Sequence, residues 1–161
     1  MELSNEVLSA LNAQIGHEYS NYMLYEQASA FFDDKAMTLA AELMRKQADG
    51  ELDHGRRFTN YVRDAKGKVV IPTIPAQRSD FTSGEDVFRA AYEREQETTA
   101  KIYALRDLAW KAGDHATFEM LTWFVNEQVE EENLTENLLQ VVRGFGEKNL
   151  YLIEAYLSHM G

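Results

Sequence analysis

The chain has 161 residues, 45% of them hydrophobic and only 2 of them proline, which fits one folded, helix-rich domain able to bury a sizeable core. A formal net charge of −11 argues against a nucleic-acid partner held on a basic face and favours a protein that handles cations. The absence of cysteine excludes disulfides, thiolate zinc sites, iron–sulfur clusters and thiol nucleophiles, so any metal must be held by oxygen and imidazole.

The opening residues Met1-Glu2-Leu3-Ser4-Asn5-Glu6 lack the basic start and apolar run of a secretory signal. No apolar run approaches the roughly 20 residues of a membrane span, so a cytoplasmic protein with no membrane partner is expected. From about 5 to 33, Val7, Leu8, Leu11, Ile15, Tyr22, Tyr25 and Phe32 keep a helical period. Glu18 falls on that stripe; taken alone it reads as a tolerated glutamate at the stripe's edge. Asp33-Asp34 suit a helix cap, and a second helix over 35–65 is marked by Leu39, Leu43, Met44, Phe58, Tyr61 and Val62. On its apolar face Glu51 and His54, spaced i,i+3, lie side by side. An E-x-x-H is weak evidence alone, since chance produces it often. Gly50 beside it costs about 1 kcal/mol relative to Ala in a helix and has no propensity reason.

Residues 66–84 carry Gly67, Pro72, Pro75 and Gly84 and make neither a helix nor a clean strand. At about 3.3 Å per residue they can travel some 60 Å, the length of a long helix, and their apolar residues predict packing on a surface. Ser83-Gly84-Glu85-Asp86 resembles a helix start. The third helix, 84–112, follows through Val87, Phe88, Ala91, Tyr92, Ile102, Leu105 and Ala109, with Glu95 on its stripe. Gly113 stops it and Asp114 can cap the next, over 115–143. There Gln128 and Glu131 continue the Leu121/Phe124 face, Glu127 and Glu130 are rotated to its flank, and Glu132 turns further away. A short amphipathic helix over 147–159 ends the chain.

Four long helices thus each place a polar ligand type on the buried stripe near mid-length: Glu18, Glu51 with His54, Glu95, and Gln128 with Glu131. Burying unpaired carboxylates costs several kcal/mol each, so the coincidence points to a cation site at the centre of an all-α four-helix bundle. Glu18 and Glu51 are 33 residues apart, as are Glu95 and Gln128, which fits two facing hairpins. Oxygen-rich ligation with a single imidazole suits iron or manganese better than copper, and shared carboxylates suit two ions.

The chain resembles the non-haem ferritins of prokaryotes along nearly its whole length. The resemblance is carried by Leu11-Asn12-Ala13-Gln14-Ile15 with Glu18 and Tyr25, by Glu51-x-x-His54, and by Tyr92-Glu93-Arg94-Glu95. The block Trp123-Phe124-Val125-Asn126-Glu127-Gln128-Val129-Glu130-Glu131-Glu132 is the most specific part. Ferritin-like proteins are the standing example of di-iron chemistry inside such a bundle. The resemblance implies a four-helix bundle with a long crossover and a short fifth helix. It also implies a ferroxidase that oxidises Fe(II) with oxygen or hydrogen peroxide, and a homo-oligomeric shell of 24 subunits that stores the mineral. It assigns Glu18, Glu51, His54 and Glu95 to the first iron site and the bridge, with Glu51 bridging, and places Glu95, Gln128 and Glu131 around the second. Tyr25 and Trp123 match aromatics that can supply electrons.

Relatives differ at single positions. Bacterioferritins carry a haem-binding methionine where this chain has Leu52, so no haem is expected; DNA-binding mini-ferritins use first-helix histidines, and His17 neighbours Glu18 rather than sharing its face. His17 reads as solvent-facing or at a subunit contact. A third iron site would use Glu127 and Glu130, but the glutamate that completes it in many prokaryotic ferritins is Gly50 here. Where some animal ferritins place channel carboxylates, this chain has Phe118 and Leu121, which leaves Glu119 as one candidate on an iron route. The competing readings are a di-iron oxidoreductase or peroxide reductase with an external electron donor, and a helical scaffold whose acidic run is a solvated face.

Overall fold

The computed structural model describes residues 2–160. Five helices follow in order: α1 (Asn5–Asp33), α2 (Thr38–Asp64), α3 (Gly84–Lys111), α4 (His115–Phe145) and α5 (Leu152–Met160), with a single 3-10 turn at Glu147–Asn149. Three of the four long helices start on a side-chain cap of the kind that satisfies free amides. Ser4 accepts from Val7 N at 3.2 Å, Ser83 from Asp86 N at 3.0 Å and Asp114 from Thr117 N at 2.9 Å.

The start of α2 differs from the sequence expectation. Asp33 and Asp34 do not cap it; the chain first makes a turn in which Met37 N donates to Phe32 O at 3.0 Å, and the N-terminal residue Met37 offers no side-chain cap. Its amides are met instead from far along the chain. The Glu154 carboxylate of α5 accepts from Leu39 N and Ala40 N, both at 2.9 Å. The fifth helix is likewise shorter than the expected 147–159, because its first turn is 3-10.

The helices α1, α2 and α3 all end in the same backbone closure, in which an amide reaches back five residues past a left-handed residue. Only the third has glycine there: the left-handed positions are Ala36 (φ 56), Lys66 (φ 61) and Gly113 (φ 67). A Cβ in that region costs roughly 1 kcal/mol. Lys66→Gly is therefore expected to stabilise the protein by up to about 1 kcal/mol in thermal or denaturant unfolding; a loss of stability would show that the Lys66 side chain makes a contact worth more than the relief.

The hairpins α1/α2 and α3/α4 face each other. Residues 65–83 join α2 to the start of α3 at the opposite end of the bundle, where Glu147 accepts from Gly84 N at 2.9 Å and α5 meets the start of α2. The crossover runs along its own subunit, although its apolar residues Val70 and Ile71 stay exposed there. Asn12 clamps it, donating to Lys68 O and accepting from Val70 N at 3.0 Å each. Pro72 lies so close to Gly16 that a Cβ there would run into the ring, which accounts for a glycine inside α1. Further along, Arg78 pairs with Asp86 at 2.7 Å and Phe81 meets Phe31 edge-on.

The apolar interior falls into two clusters. One, around Phe32, Met44, Phe88 and Leu138, fills the end capped by α5; the other, around Leu11, Phe58, Ile102 and Phe124, fills the opposite end. Between them lies a polar layer of Glu18, Asn21, Glu51, His54, Glu95, Thr98 and Gln128, each no more than 4% exposed. Among the described residues no helix is long and apolar enough to cross a membrane.

Candidate metal centre

The layer takes one or two side chains from each long helix. Glu18 comes from α1, Glu51 and His54 from successive turns of α2, Glu95 from α3, and Gln128 and Glu131 from α4. His54 lies at the middle: Nδ1 is 3.3 Å from Glu51 Oε2 and 3.8 Å from Glu18 Oε2, while Nε2 is 3.7 Å from Glu127 Oε1. Two three-residue groups result, each with its ligand atoms within 4.8 Å of one another: Glu18, Glu51 and His54, and His54, Glu127 and Glu131. Glu127, expected on the flank with Glu130, therefore comes to the imidazole, whereas Glu130 is exposed and outside both groups.

Glu95 is held from two sides. The Tyr25 hydroxyl donates to Oε1 at 2.6 Å and the Gln128 amide to Oε2 at 3.1 Å. Gln128 also donates to Glu95 O at 3.2 Å and Thr99 Oγ1 at 3.3 Å, so its nitrogen acts on Glu95. Trp123 stands edge-on to His54 with centroids 5.6 Å apart, and its outer face is covered by the Arg57 guanidinium at 3.8 Å.

Several supporting residues escaped the sequence reading, though they share the spacing that singled out the candidate ligands. Gln14, four residues before Glu18, donates to its Oε1 at 2.9 Å; Gln47, four before Glu51, donates to Glu131 Oε2 at 2.6 Å; Asn21 follows Glu18 by three. His17 is half-buried, with its Nε2 against Thr98 Oγ1 of α3 at 2.7 Å. Burial, with the charges of Lys101 and Arg94 nearby, pushes its pKa down to about 3, so the ring is neutral.

The electrostatics follow from burial. Glu18 is pushed well above the usual carboxylate range by burial and then by the charge of Glu51; Glu51 rises for the same first reason and then through Glu95. Burial also raises Glu95, and burial followed by the charge of Glu95 lifts Glu131 to about 7. Tyr25 is raised by burial and by Glu95. A packed set of carboxylates such as this must hold either protons or cations. The donor set of hard oxygens and one imidazole fits iron and contains no soft ligand.

The ferritin-like domain model matches residues 8–145. The chain belongs to the ferritin family. Over 158 residues it is 35% identical to a bacterial non-heme ferritin of Staphylococcus saprophyticus, covering 97% of this chain and 95% of the relative. A bacterial non-heme ferritin of Staphylococcus haemolyticus is 34% identical over the same shares. In structure this ferritin resembles the open pore ferritin from the hyperthermophilic archaeon Archaeoglobus fulgidus, with a TM-score of 0.93 at 30% identity over 97% of this chain and 96% of that one.

Proposed function

We propose that this ferritin stores iron, oxidising Fe(II) to Fe(III) at an intrasubunit di-iron centre and keeping the product in a hollow shell of 24 subunits. One observation carries the reading: two ligand groups meet on His54 inside the bundle of a ferritin-family chain. One Fe(II) is taken by Glu18, Glu51 and His54. The second is held by Glu127 and Glu131 of the other group, with Glu51, Glu95 and Gln128, which the resemblance assigns to it, beside them. Each Fe(II) gives up one electron, and the pair reduces oxygen to peroxide or peroxide to water. Two fixed positions for the ions supply the proximity that a two-electron step needs. Tyr25 and Trp123 are the candidate electron donors beside the centre for a turnover in which only one Fe(II) is bound; the Tyr25 hydroxyl, which donates to Glu95 at 2.6 Å, would pass its proton there. On the iron route, Leu121 is buried in the core and Phe118 lies under Arg106, while Glu119 is exposed.

Anaerobic titration with Fe(II) followed by oxygen, with particle size measured alongside, tests the reading. Binding of about two Fe(II) per subunit, rapid oxidation and a large hollow particle are expected. A monomer or dimer that turns over only with an added reductant points to the oxidoreductase, and no binding leaves a scaffold.

A third site built on Glu127 and Glu130 lacks its partner at Gly50. A Cβ at Gly50 meets nothing within 4 Å, so Gly50→Glu starts from open space at its Cβ and gains up to about 1 kcal/mol of helix propensity. It is expected to add bound metal beside Glu127 and to change oxidation kinetics. Unaltered stoichiometry and kinetics would count against a site there.

A further inference from the structure

Asn21, fully buried in α1, lies against both carboxylates assigned to the first Fe(II). Its amide nitrogen is 3.4 Å from Glu18 Oε2, 3.4 Å from Glu51 Oε2 and 3.1 Å from Thr98 Oγ1. A primary amide turned over by half a rotation keeps its shape but exchanges donor for acceptor. Turned over, Asn21 would set its oxygen against two carboxylates, so what holds the amide decides what the carboxylates feel.

The neighbours fix it from both ends. The Thr98 hydroxyl donates to Arg94 O at 2.9 Å, which leaves Thr98 Oγ1 to accept from Asn21 Nδ2; His17 Nε2 lies 2.7 Å from the same oxygen. At the other end, Asn21 Oδ1 accepts from Arg94 Nη1 at 3.2 Å. The guanidinium is held in turn by Gln77 Oε1 of the crossover at 2.8 Å. Its other partners are more distant: Ser20 Oγ at 3.4 Å and Glu97 Oε2 at 3.7 Å.

We propose that Arg94, anchored to the crossover through Gln77, is a positioning residue that locks the Asn21 amide with its nitrogen toward Glu18 and Glu51, and so fixes the orientation of the carboxylates that take the first Fe(II). The inference rests on the di-iron reading. The two contacts at 3.4 Å are long; they restrain the carboxylates while each oxygen keeps a second lone pair for a cation. The arrangement also ties the crossover, on the outside of the bundle, to the geometry at its centre.

Anaerobic titration with Co(II), read by visible d–d absorption and by affinity, tests this on the assembled protein. Arg94→Met is expected to weaken the tightest Co(II) site about tenfold, the scale of outer-shell effects, and to shift the band. Gln77→Ala, which alters only the crossover, should move both in the same direction by less. Arg94→Lys, which keeps a cationic donor for Asn21 Oδ1, should recover much of the parent spectrum. An Arg94→Met protein with the parent band and an affinity within about twofold overturns the positioning role while leaving the di-iron centre standing. If Arg94→Met does not assemble, the same result in Gln77→Ala overturns it. A parent protein that binds no Co(II) overturns the di-iron reading and this inference with it.

Discussion

Glu51→Gln is expected to make the subunit more stable and nearly inactive. Glu51 is 1% exposed and is crowded by the carboxylates of Glu18, Glu95 and Glu131. The amide keeps its shape and removes the cost of either ionising or protonating one buried carboxylate. Relief of this kind is worth roughly 1–3 kcal/mol near pH 8, a rise of about 2–10 °C in the apo Tm for a subunit of this size. The same change removes the one ligand assigned to both ions. Outer-shell partners alone are worth 10- to 100-fold in metal affinity or activity, so Fe(II) oxidation should fall by more than about a hundredfold. Stopped-flow oxidation and thermal unfolding of metal-free protein at matched subunit concentration read the two effects together. Retained oxidation would remove Glu51 from the centre, and an unchanged or lower Tm would show that its burial is compensated elsewhere.

The second large effect is on pH. Glu131 has its folded pKa raised from 4.5 to about 7, so between those values the folded chain binds more protons than the unfolded one and stability falls as pH rises. Glu18 and Glu51, pushed well above the same starting value by burial, act in the same sense. Each fully differing carboxyl contributes about 1.4 kcal/mol per pH unit. Asp86 acts in the opposite sense and only in acid. It is held low chiefly by the Thr82 amide, with Arg78 adding to it, so its contribution is lost as pH drops below the usual carboxylate range. The Tm of metal-free protein should therefore decline from pH 5 to pH 8, by about 10 °C or more if several carboxyls act together. A redox-silent divalent cation such as Co(II) should flatten that slope, bind more tightly as pH rises and release protons, which calorimetry in buffers of different ionisation enthalpy can count. A flat Tm between pH 5 and pH 8 would mean that the carboxyls keep ordinary values in the folded protein.

Most of the fold was legible because its signals are local. Helical periodicity located all five helices, and Ser83 and Asp114 marked the starts of α3 and α4 because each caps its own first turn. The start of α2 was not legible, since its amides are met by Glu154 from more than a hundred residues away. At the site, Glu18, Glu51 with His54, and Glu95 could be singled out as candidate ligands because each long helix puts a polar ligand type on its apolar stripe near mid-length. Glu127 could not be placed by angle alone. Its backbone sits on the flank, but a long side chain swings back to His54 Nε2. The Asn21 amide was hidden for a related reason: its orientation depends on Arg94 and on a crossover glutamine with no periodicity to mark it.

The polar layer also shapes how the subunit comes apart. Because the apolar interior is two clusters rather than one, each long helix crosses a seam at mid-length, where charge takes the place of close apolar packing. Cooperative opening units are bounded by their packing, so what couples the two cores across the waist is the continuous helices and the polar contacts between them, such as Tyr25 to Glu95 and Gln47 to Glu131. On the proposed reading, an ion drawing the carboxylates together closes that waist, and the step that loads iron also joins two folding units into one.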